Sequence, residues 1–309
     1  MSNLALYLIT VLVWGSTWFA IEFQLGIVEP EVSVVYRYAG ASLLLFAWSK
    51  YKKLNLAFGI RQHGWFVLLG LFLFGLNYVL AYRAQIYITS ALTAIAFSSI
   101  VWMNILNARF FFGVRAGRRT LFCSLLGIAG IVTLFAPQVR DISFTDTVFF
   151  GSVLALLGAL AASFGNMASQ GAQKRGLPIV QSNAWGMFYG CALSAISSVV
   201  AGHTFNFDLA TGYVVSLAYL TIFGSIVAFG AYLTLLGRIG AHKAGYAMVM
   251  FPVVALVLSI AFEGLTLNTS IVVGTLLVLA GNVFVLERGN GQRHNSTLPS
   301  SLDDVQSTS

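Results

Sequence analysis

The sequence predicts an all-α integral membrane protein in which ten transmembrane helices form two inverted five-helix repeats. The 309-residue chain is 58% hydrophobic and 9% charged, and its mean hydropathy of +0.84 is too high for a soluble domain of this length. Long apolar stretches occur ten times between short charged links, and one nonapeptide returns 151 residues after its first copy. These observations place the chain in a bilayer and indicate a duplication.

The apolar stretches have the length of membrane-spanning helices, because a hydrocarbon core of about 30 Å takes roughly 20 apolar residues per helix. The N-terminal stretch has no Lys or Arg before it, unlike a cleaved secretory signal, so we predict that this first span is retained. Residues 289–309 are polar and aperiodic, which predicts a disordered cytoplasmic tail. The predicted spans are Leu4–Ile21, Val32–Trp48, Gly64–Tyr82, Ile86–Leu106, Leu121–Ala136, Val148–Ser169, Ile179–Ala201, Gly212–Leu236, Ala244–Phe262 and Thr269–Leu286.

The internal repeat divides these spans into two groups of five. Ser124–Val132 (SLLGIAGIV) returns as Thr275–Val283 (TLLVLAGNV), with Leu, Leu, Ala, Gly and Val at the same offsets. The first repeat is predicted over residues 4–136 and the second over residues 148–286. Because five is odd, the second repeat must enter the membrane from the opposite side.

Loop charge supports the inversion and predicts the orientation, since basic residues favour the cytoplasmic ends of spans. With both termini in the cytoplasm, only Arg37, Arg83 and Arg140 of the 17 Lys and Arg residues lie at outer ends. The link between spans four and five holds four arginines, whereas its counterpart, Glu263–Asn268, holds no Lys or Arg. The charge bias therefore places both termini in the cytoplasm, and we predict a multi-pass protein of the cytoplasmic (inner) membrane. The net charge of +7 is scattered over short loops and does not indicate nucleic-acid binding.

Inverted repeats are a recurring architecture of secondary transporters, in which the substrate site lies near the midplane between the repeats. A non-selective channel, a lipid-scrambling scaffold and a duplicated scaffold without transport activity remain alternatives. An intramembrane enzyme is disfavoured, because the four histidines lie at span ends or in the tail and the sequence has neither an HExxH nor a GxSxG motif. No cofactor or metal is predicted.

Aromatic and polar residues inside the spans are the candidate substrate-binding residues. Trp14 and Trp18 share one face of span one, and Trp14 lies too deep for an interfacial aromatic belt. Tyr78 and Tyr82 share a face of span three, with Asn77 beside them. Buried hydroxyl and amide groups need partners, so such residues either pack against another helix or line a polar cavity. The same choice applies to Ser98, Ser99, Trp102 and Asn166.

Charged residues are nearly absent from the span centres, so no proton relay is predicted. Glu22, Arg37 and Arg83 lie toward the outer ends of the first three spans, where they either form an outer gate or extend to the interface. Pro252 removes a backbone donor within span nine and is a candidate hinge. Gly224 permits close helix approach in span eight.

Several motifs resemble the drug/metabolite transporter superfamily, its EamA family and, within that, the YddG-like amino-acid exporters. They are Trp14–Trp18 (WGSTW), the glycine-rich spans five and ten, and Pro252–Gly264 (PVVALVLSIAFEG), and the resemblance covers residues 4–286. Many relatives have a proline in span four where this chain has Val101, so the sequence gives no reason to expect an equivalent bend there.

The resemblance implies export of neutral or aromatic amino acids and related metabolites by alternating access around a midplane cavity. It also implies that spans one, three, four, six, eight and nine line this cavity. Ten spans can hold a complete pathway, so a functional monomer in membrane lipid is expected. The implied binding residues are Trp14, Trp18, Asn77, Tyr78, Tyr82, Ser98, Ser99, Trp102, Asn166, Tyr246 and Met250.

Overall fold

The computed structural model describes residues 1–113, 118–139, 147–244 and 246–286, and within these ranges the chain is helical with no strand. The predicted tail and Arg140 lie outside the described residues. Each predicted span overlaps one helical span. These are α1 (Asn3–Glu22), α2 (Pro30–Tyr51), α3 (Ile60–Gln85), α4 (Ser90–Phe112), α5 (Arg118–Val139), α6 (Thr147–Lys174), α7 (Ile179–Val200), α8 (residues 211–244), α9 (Tyr246–Phe262) and α10 (Thr269–Leu286).

Among the described residues, five helices are long and apolar enough to cross a membrane by length and composition. They are Asn3–Glu22, Ile60–Gln85, Ser90–Phe112, Thr147–Lys174 and Thr211–Leu235. The apolar segments Met250–Phe262 and Thr269–Gly281 are shorter. The prediction of an all-helical membrane fold is confirmed.

The packing of the helices repeats with the symmetry of the duplication, in which each span of the first half is equivalent to the span five later. Helix α1 packs against α9, and the equivalent pair is α6 against α4. Helix α3 packs against α6, and the equivalent pair is α8 against α1. The equivalent helices α2 and α7 contact each other, as do α5 and α10. This reciprocal pattern is the one that two inverted repeats produce.

The two copies of the repeated nonapeptide pack against each other where α5 crosses α10. A Cβ atom at Gly130 would lie 2.7 Å from the backbone nitrogen of Val278 and 2.8 Å from the carbonyl oxygen of Gly274. Helices can approach this closely only where the side chain is small. Gly130 of the first nonapeptide therefore permits direct backbone contact with the second copy.

Helices α3 and α8 are equivalent spans, and each contains a π-helical segment near its middle. The segments are Gly70–Leu76 in α3 and Leu220–Val227 in α8, so they coincide under the offset of the repeat. Such segments insert an extra residue into a helical turn and are frequent at functional sites. In α8 the hydroxyl of Ser225 donates to the carbonyl of Leu220, five residues earlier, at 3.0 Å.

Helix α4 is interrupted between Phe97 and Ile100 although this span contains no proline. The backbone nitrogens of Ser99 and Val101 each donate to the carbonyl three residues earlier, at 3.2 Å. The Ser98 hydroxyl also donates to the carbonyl of Ile95, at 2.7 Å. Serine hydroxyls that bond back to the helix weaken its regular ladder. With Val101 where many relatives have proline, the sequence gave no reason to expect a bend in this span. The structure nevertheless interrupts the span with a tight turn at Ser98 and Ser99.

Candidate functional site

A cavity of about 70 Å³ lies between the two repeats. Helices α1, α3 and α4 of the first repeat and α6, α8 and α9 of the second contribute its walls, the six spans that the resemblance implied. This volume is below the range of about 300–1,000 Å³ that is usual for small-molecule sites. Its lining residues are Trp14, Thr17, Trp18, Ile21, Leu73, Asn77, Tyr78, Ala81, Phe97, Ile100, Ala162, Asn166, Phe229, Met248 and Phe251.

Trp14 joins the first repeat to the second at one wall of the cavity. Its ring centroid lies 5.0 Å from those of Phe229 and Tyr232, both on α8. Its indole nitrogen donates to the carbonyl oxygen of Gly224 at 3.3 Å. The acceptor belongs to the π-helical segment of α8, so Trp14 is held by both ring contacts and a hydrogen bond.

Trp18 lies one helical turn further along α1, between aromatic rings of α4 and α9. Its ring centroid is 4.8 Å from that of Phe97 and 5.9 Å from that of Phe251. Among the described residues, its buried indole nitrogen has no hydrogen-bond partner. A buried N–H group without an acceptor is costly, so this donor is available to a bound solute.

Two amide side chains supply further polar groups to the largely apolar walls. The side-chain nitrogen of Asn77 donates to the carbonyl of Leu73 at 3.1 Å. That of Asn166 lies 3.4 Å from the side-chain oxygen of Asn104. With both amide nitrogens directed to protein acceptors, the two amide oxygens are left as acceptors for a solute.

Tyr78 lines the cavity, whereas Tyr82 is fully buried behind the wall and contacts Arg37. The Nη1 atom of Arg37 lies 3.3 Å from the Tyr82 hydroxyl, and its Nε donates to the hydroxyl of Ser225 at 2.9 Å. The guanidinium carbon lies 4.5 Å from the centroid of the Tyr78 ring. Arg37 is 0% exposed, so this arginine lies inside the bundle and does not extend to an interface.

The remaining predicted residues of α4 lie beside the interruption of that helix. Ser98 and Ser99 are buried, and the Ser99 hydroxyl lies 3.8 Å from the sulfur of Met103. Trp102 faces α5, where a Cβ atom at Gly127 would lie 3.5 Å from its ring. None of these three lines the cavity; α4 contributes Phe97 and Ile100 instead.

On α9 the cavity side chains are Met248 and Phe251, whereas Met250 is 40% exposed on another face. Two residues along an α-helix correspond to a rotation of about 200°, which explains the difference between Met248 and Met250. The side chain of Tyr246 lies outside the described residues. Pro252 is buried within the helical part of α9, next to Phe251.

The end of the bundle opposite the N-terminus, called the distal end below, is joined by polar contacts between helices. Glu22 at the end of α1 accepts from the Gln85 side chain of α3 at 2.7 Å. Arg83 of α3 donates to both oxygens of Glu31 of α2, at 2.7 and 2.9 Å. The predicted gating residues Glu22, Arg37 and Arg83 therefore do not meet one another; each has its own partners.

Helices α4 and α9 are joined at the same end through Glu263. This carboxylate accepts from the hydroxyl and the backbone nitrogen of Ser90 and from the hydroxyl of Ser259, the last at 2.6 Å. The acidic residues at predicted outer span ends were visible in the sequence. Their partners were not, because hydrogen-bonding partners on different helices cannot be assigned from spacing along one chain.

A cavity lined by three helices from each of two inverted halves is the arrangement of a membrane transporter. The sequence profile of the EamA-like transporter family matches residues 1–136 and 149–287. The chain belongs to the EamA family of the drug/metabolite transporter superfamily.

Several relatives with similar sequences carry transporter names. The uncharacterized transporter YoaV of Bacillus subtilis is 24% identical over 90% of this chain and 95% of its own. The uncharacterized inner membrane transporter YedA of Escherichia coli is 25% identical over 85% of this chain and 82% of its own. A WAT1-related chloroplastic protein of Arabidopsis thaliana is 30% identical over 71% of this chain and 54% of its own.

A solved structure described only as the crystal structure of a protein has the same fold. It superposes with a TM-score of 0.65 at 18% identity, over 92% of this chain and 96% of the other.

Proposed function

We propose that the protein is a secondary transporter that exports small metabolites, above all neutral or aromatic amino acids, across the cytoplasmic membrane. The observation that carries this proposal is the cavity between the repeats, whose walls combine the rings of Trp14, Trp18 and Phe251 with the amides of Asn77 and Asn166. Among the described residues that line it, none is Asp, Glu, Lys, Arg or His. Such walls suit a solute with an apolar side chain and a few polar groups.

Alternating access supplies the proposed mechanism, because two inverted repeats can exchange conformations around a site between them. With both termini in the cytoplasm, the distal end is the outer side, where Glu22, Arg83 and Glu263 hold helices together. Opening to the outside then requires these contacts to separate. Pro252 on α9 and Gly224 on α8 lie next to the cavity walls, where a change of helix angle would change the shape of the cavity around the solute.

Flux through the purified protein in proteoliposomes tests this function. We expect saturable uptake of a radiolabelled aromatic amino acid, and acceleration by unlabelled amino acid on the opposite side. Trp18→Ala should weaken transport, while Trp48→Ala should match wild type because Trp48 is 51% exposed and outside the cavity. Absence of flux for every neutral amino acid in both directions would contradict the substrate class. Non-saturable flux without counterflow would indicate a channel.

Three helices from each repeat of one chain line the cavity, which supports a functional monomer. Chemical crosslinking in the membrane, together with the mass of the detergent-solubilised protein, tests this proposal. We expect transport activity per chain to be independent of protein density in the liposome. Activity that falls as the chains are diluted among more liposomes would contradict it.

A further inference from the structure

We propose that Arg37 binds the carboxylate of the transported solute, an inference that rests on the proposed function. The starting observation is a buried cation without a counter-charge. Arg37 is 0% exposed, and among the described residues it forms no ion pair. Its Nε and Nη1 atoms have hydroxyl partners, whereas its Nη2 atom has none among the described residues.

A buried cation without a counter-charge is unfavourable unless an anion pairs with it. Charged groups in the interior of a membrane protein are normally paired, and an ionisable residue there marks a functional site by default. The rings of Tyr78 and Tyr38, at 4.5 and 5.5 Å from the guanidinium carbon, stabilise the cation but accept no conventional hydrogen bond through their faces. An anion at Nη2 would supply both the missing charge and the missing acceptor.

The unpartnered atom lies directly behind the cavity wall. Nη2 of Arg37 and the methyl carbon of Thr17 each lie 2.9 Å from the position that a Cβ at Gly224 would occupy. Thr17 lines the cavity, and so does Tyr78, on whose ring the guanidinium stacks. Any side chain at position 224 would collide with Nη2 and with Thr17, so the glycine allows the guanidinium to lie next to a residue of the cavity wall.

The other polar groups of the cavity fit the rest of an amino acid. The amide oxygens of Asn77 and Asn166 can accept hydrogen bonds from the ammonium group of the solute. The rings of Trp14 and Trp18 would contact its apolar side chain. The single positive charge of Arg37 matches a carboxylate, which carries one negative charge. A phosphate monoester carries about two charges near pH 7, and the described residues of the cavity lining offer no cation besides the nearby Arg37 to neutralise it.

Binding measurements on the detergent-solubilised protein test this proposal with three ligands that carry the same phenyl ring and differ in charge. L-phenylalanine has both charges, 3-phenylpropionate has only the carboxylate, and L-phenylalaninamide has only the ammonium. We expect the wild type to bind the two carboxylates at least tenfold more tightly than the amide. In Arg37→Gln this preference should vanish, whereas Arg37→Lys should retain part of it. Arg61→Gln, which removes an exposed arginine, should match the wild type.

Ser225→Ala provides a second variant that keeps the charge and removes the hydroxyl that orients Nε. It should weaken binding of both carboxylates several-fold without changing amide binding, even if Arg37→Gln fails to fold. A wild type without carboxylate preference, an undiminished preference in folded Arg37→Gln, or carboxylate binding by Ser225→Ala that equals the wild type overturns the proposal. Displacement of 3-phenylpropionate by an equal concentration of chloride would assign the site to inorganic anions and overturn it as well.

Parallel flux measurements separate this inference from the proposed function. Transport of neutral amino acids without an Arg37-dependent carboxylate preference would leave the function intact and refute the role of Arg37. Arg37-dependent binding of carboxylates without amino-acid flux would refute the function and support the carboxylate site.

Discussion

The indole nitrogen of Trp14 donates to the carbonyl oxygen of Gly224 across 3.3 Å, which links the middle of α1 to the π-helical segment of α8. The contact joins one repeat to the other at the wall of the cavity. A π-helical turn leaves the normal i to i−4 bonding pattern, so its carbonyls can accept from a side chain. The same segment provides Ser225, which orients Arg37.

Trp14→Phe should lower the stability of the protein, because it leaves the buried Gly224 carbonyl without its donor. The expected loss is about 1–3 kcal/mol in the free energy of unfolding. Thermal unfolding in detergent measures it, with the exposed Trp48→Phe as the matched control. Equal melting temperatures for the two variants would show that the hydrogen bond contributes nothing measurable.

Gly130→Ala should destabilise the contact between α5 and α10, since the new methyl group would lie 2.7 Å from the backbone nitrogen of Val278. Overpacking of this kind costs about 1–3 kcal/mol. Gly127→Ala on the same helix is the matched control, because its methyl group would meet Trp102 at an ordinary 3.5 Å. Thermal melting compares the two; similar losses would refute the close crossing.

Arg83→Gln should favour opening of the distal end, because it removes both hydrogen bonds to Glu31. Partly exposed ion pairs contribute little to global stability, so the change should alter access more than melting temperature. Ala81→Cys, at a residue that lines the cavity, reports access to a membrane-impermeant thiol reagent in a background in which Cys123 and Cys191 are both replaced by Ser. The labelling rate from outside should rise several-fold, and Arg61→Gln should leave it unchanged. An unchanged rate in Arg83→Gln would exclude this contact as a gate.

Pro252→Ala should restore a backbone donor within α9 and stiffen the helix next to Phe251. If the proline acts as a hinge, the maximal transport rate should fall several-fold while the half-saturation concentration stays near the wild-type value. Pro178→Ala, at the start of α7 and outside any helix interior, is the control. A change confined to the half-saturation concentration would indicate a role in the cavity wall instead.

Part of the candidate site was predictable because some of its residues are unusual in a membrane. Trp14, Trp18, Asn77, Tyr78 and Asn166 stand out in apolar spans as deep aromatic or amide groups, and the structure places all five in the cavity lining. The other lining residues are ordinary apolar or small side chains. Phe97, Phe229 and Met248 line the cavity, yet in sequence they cannot be told from residues that pack in a core.

Helix irregularities account for further differences between sequence and structure. The π-helical segments of α3 and α8 and the interruption of α4 at Ser98 shift the faces of the residues that follow, since one extra residue rotates a helix by about 100°. A regular helical period therefore cannot predict which side chains face the cavity along these three spans.

The sequence by itself determined that this chain is a helical membrane protein with ten spans in two inverted halves. Hydropathy and loop charge suffice for that, because both are sums over neighbouring residues and need no knowledge of helix rotation. The tertiary structure alone decided which faces meet. It placed Arg37 against Tyr82 and Ser225, Met248 in the cavity and Met250 outside it, because these relationships depend on the rotation, crossing and irregular turns of helices far apart in the chain.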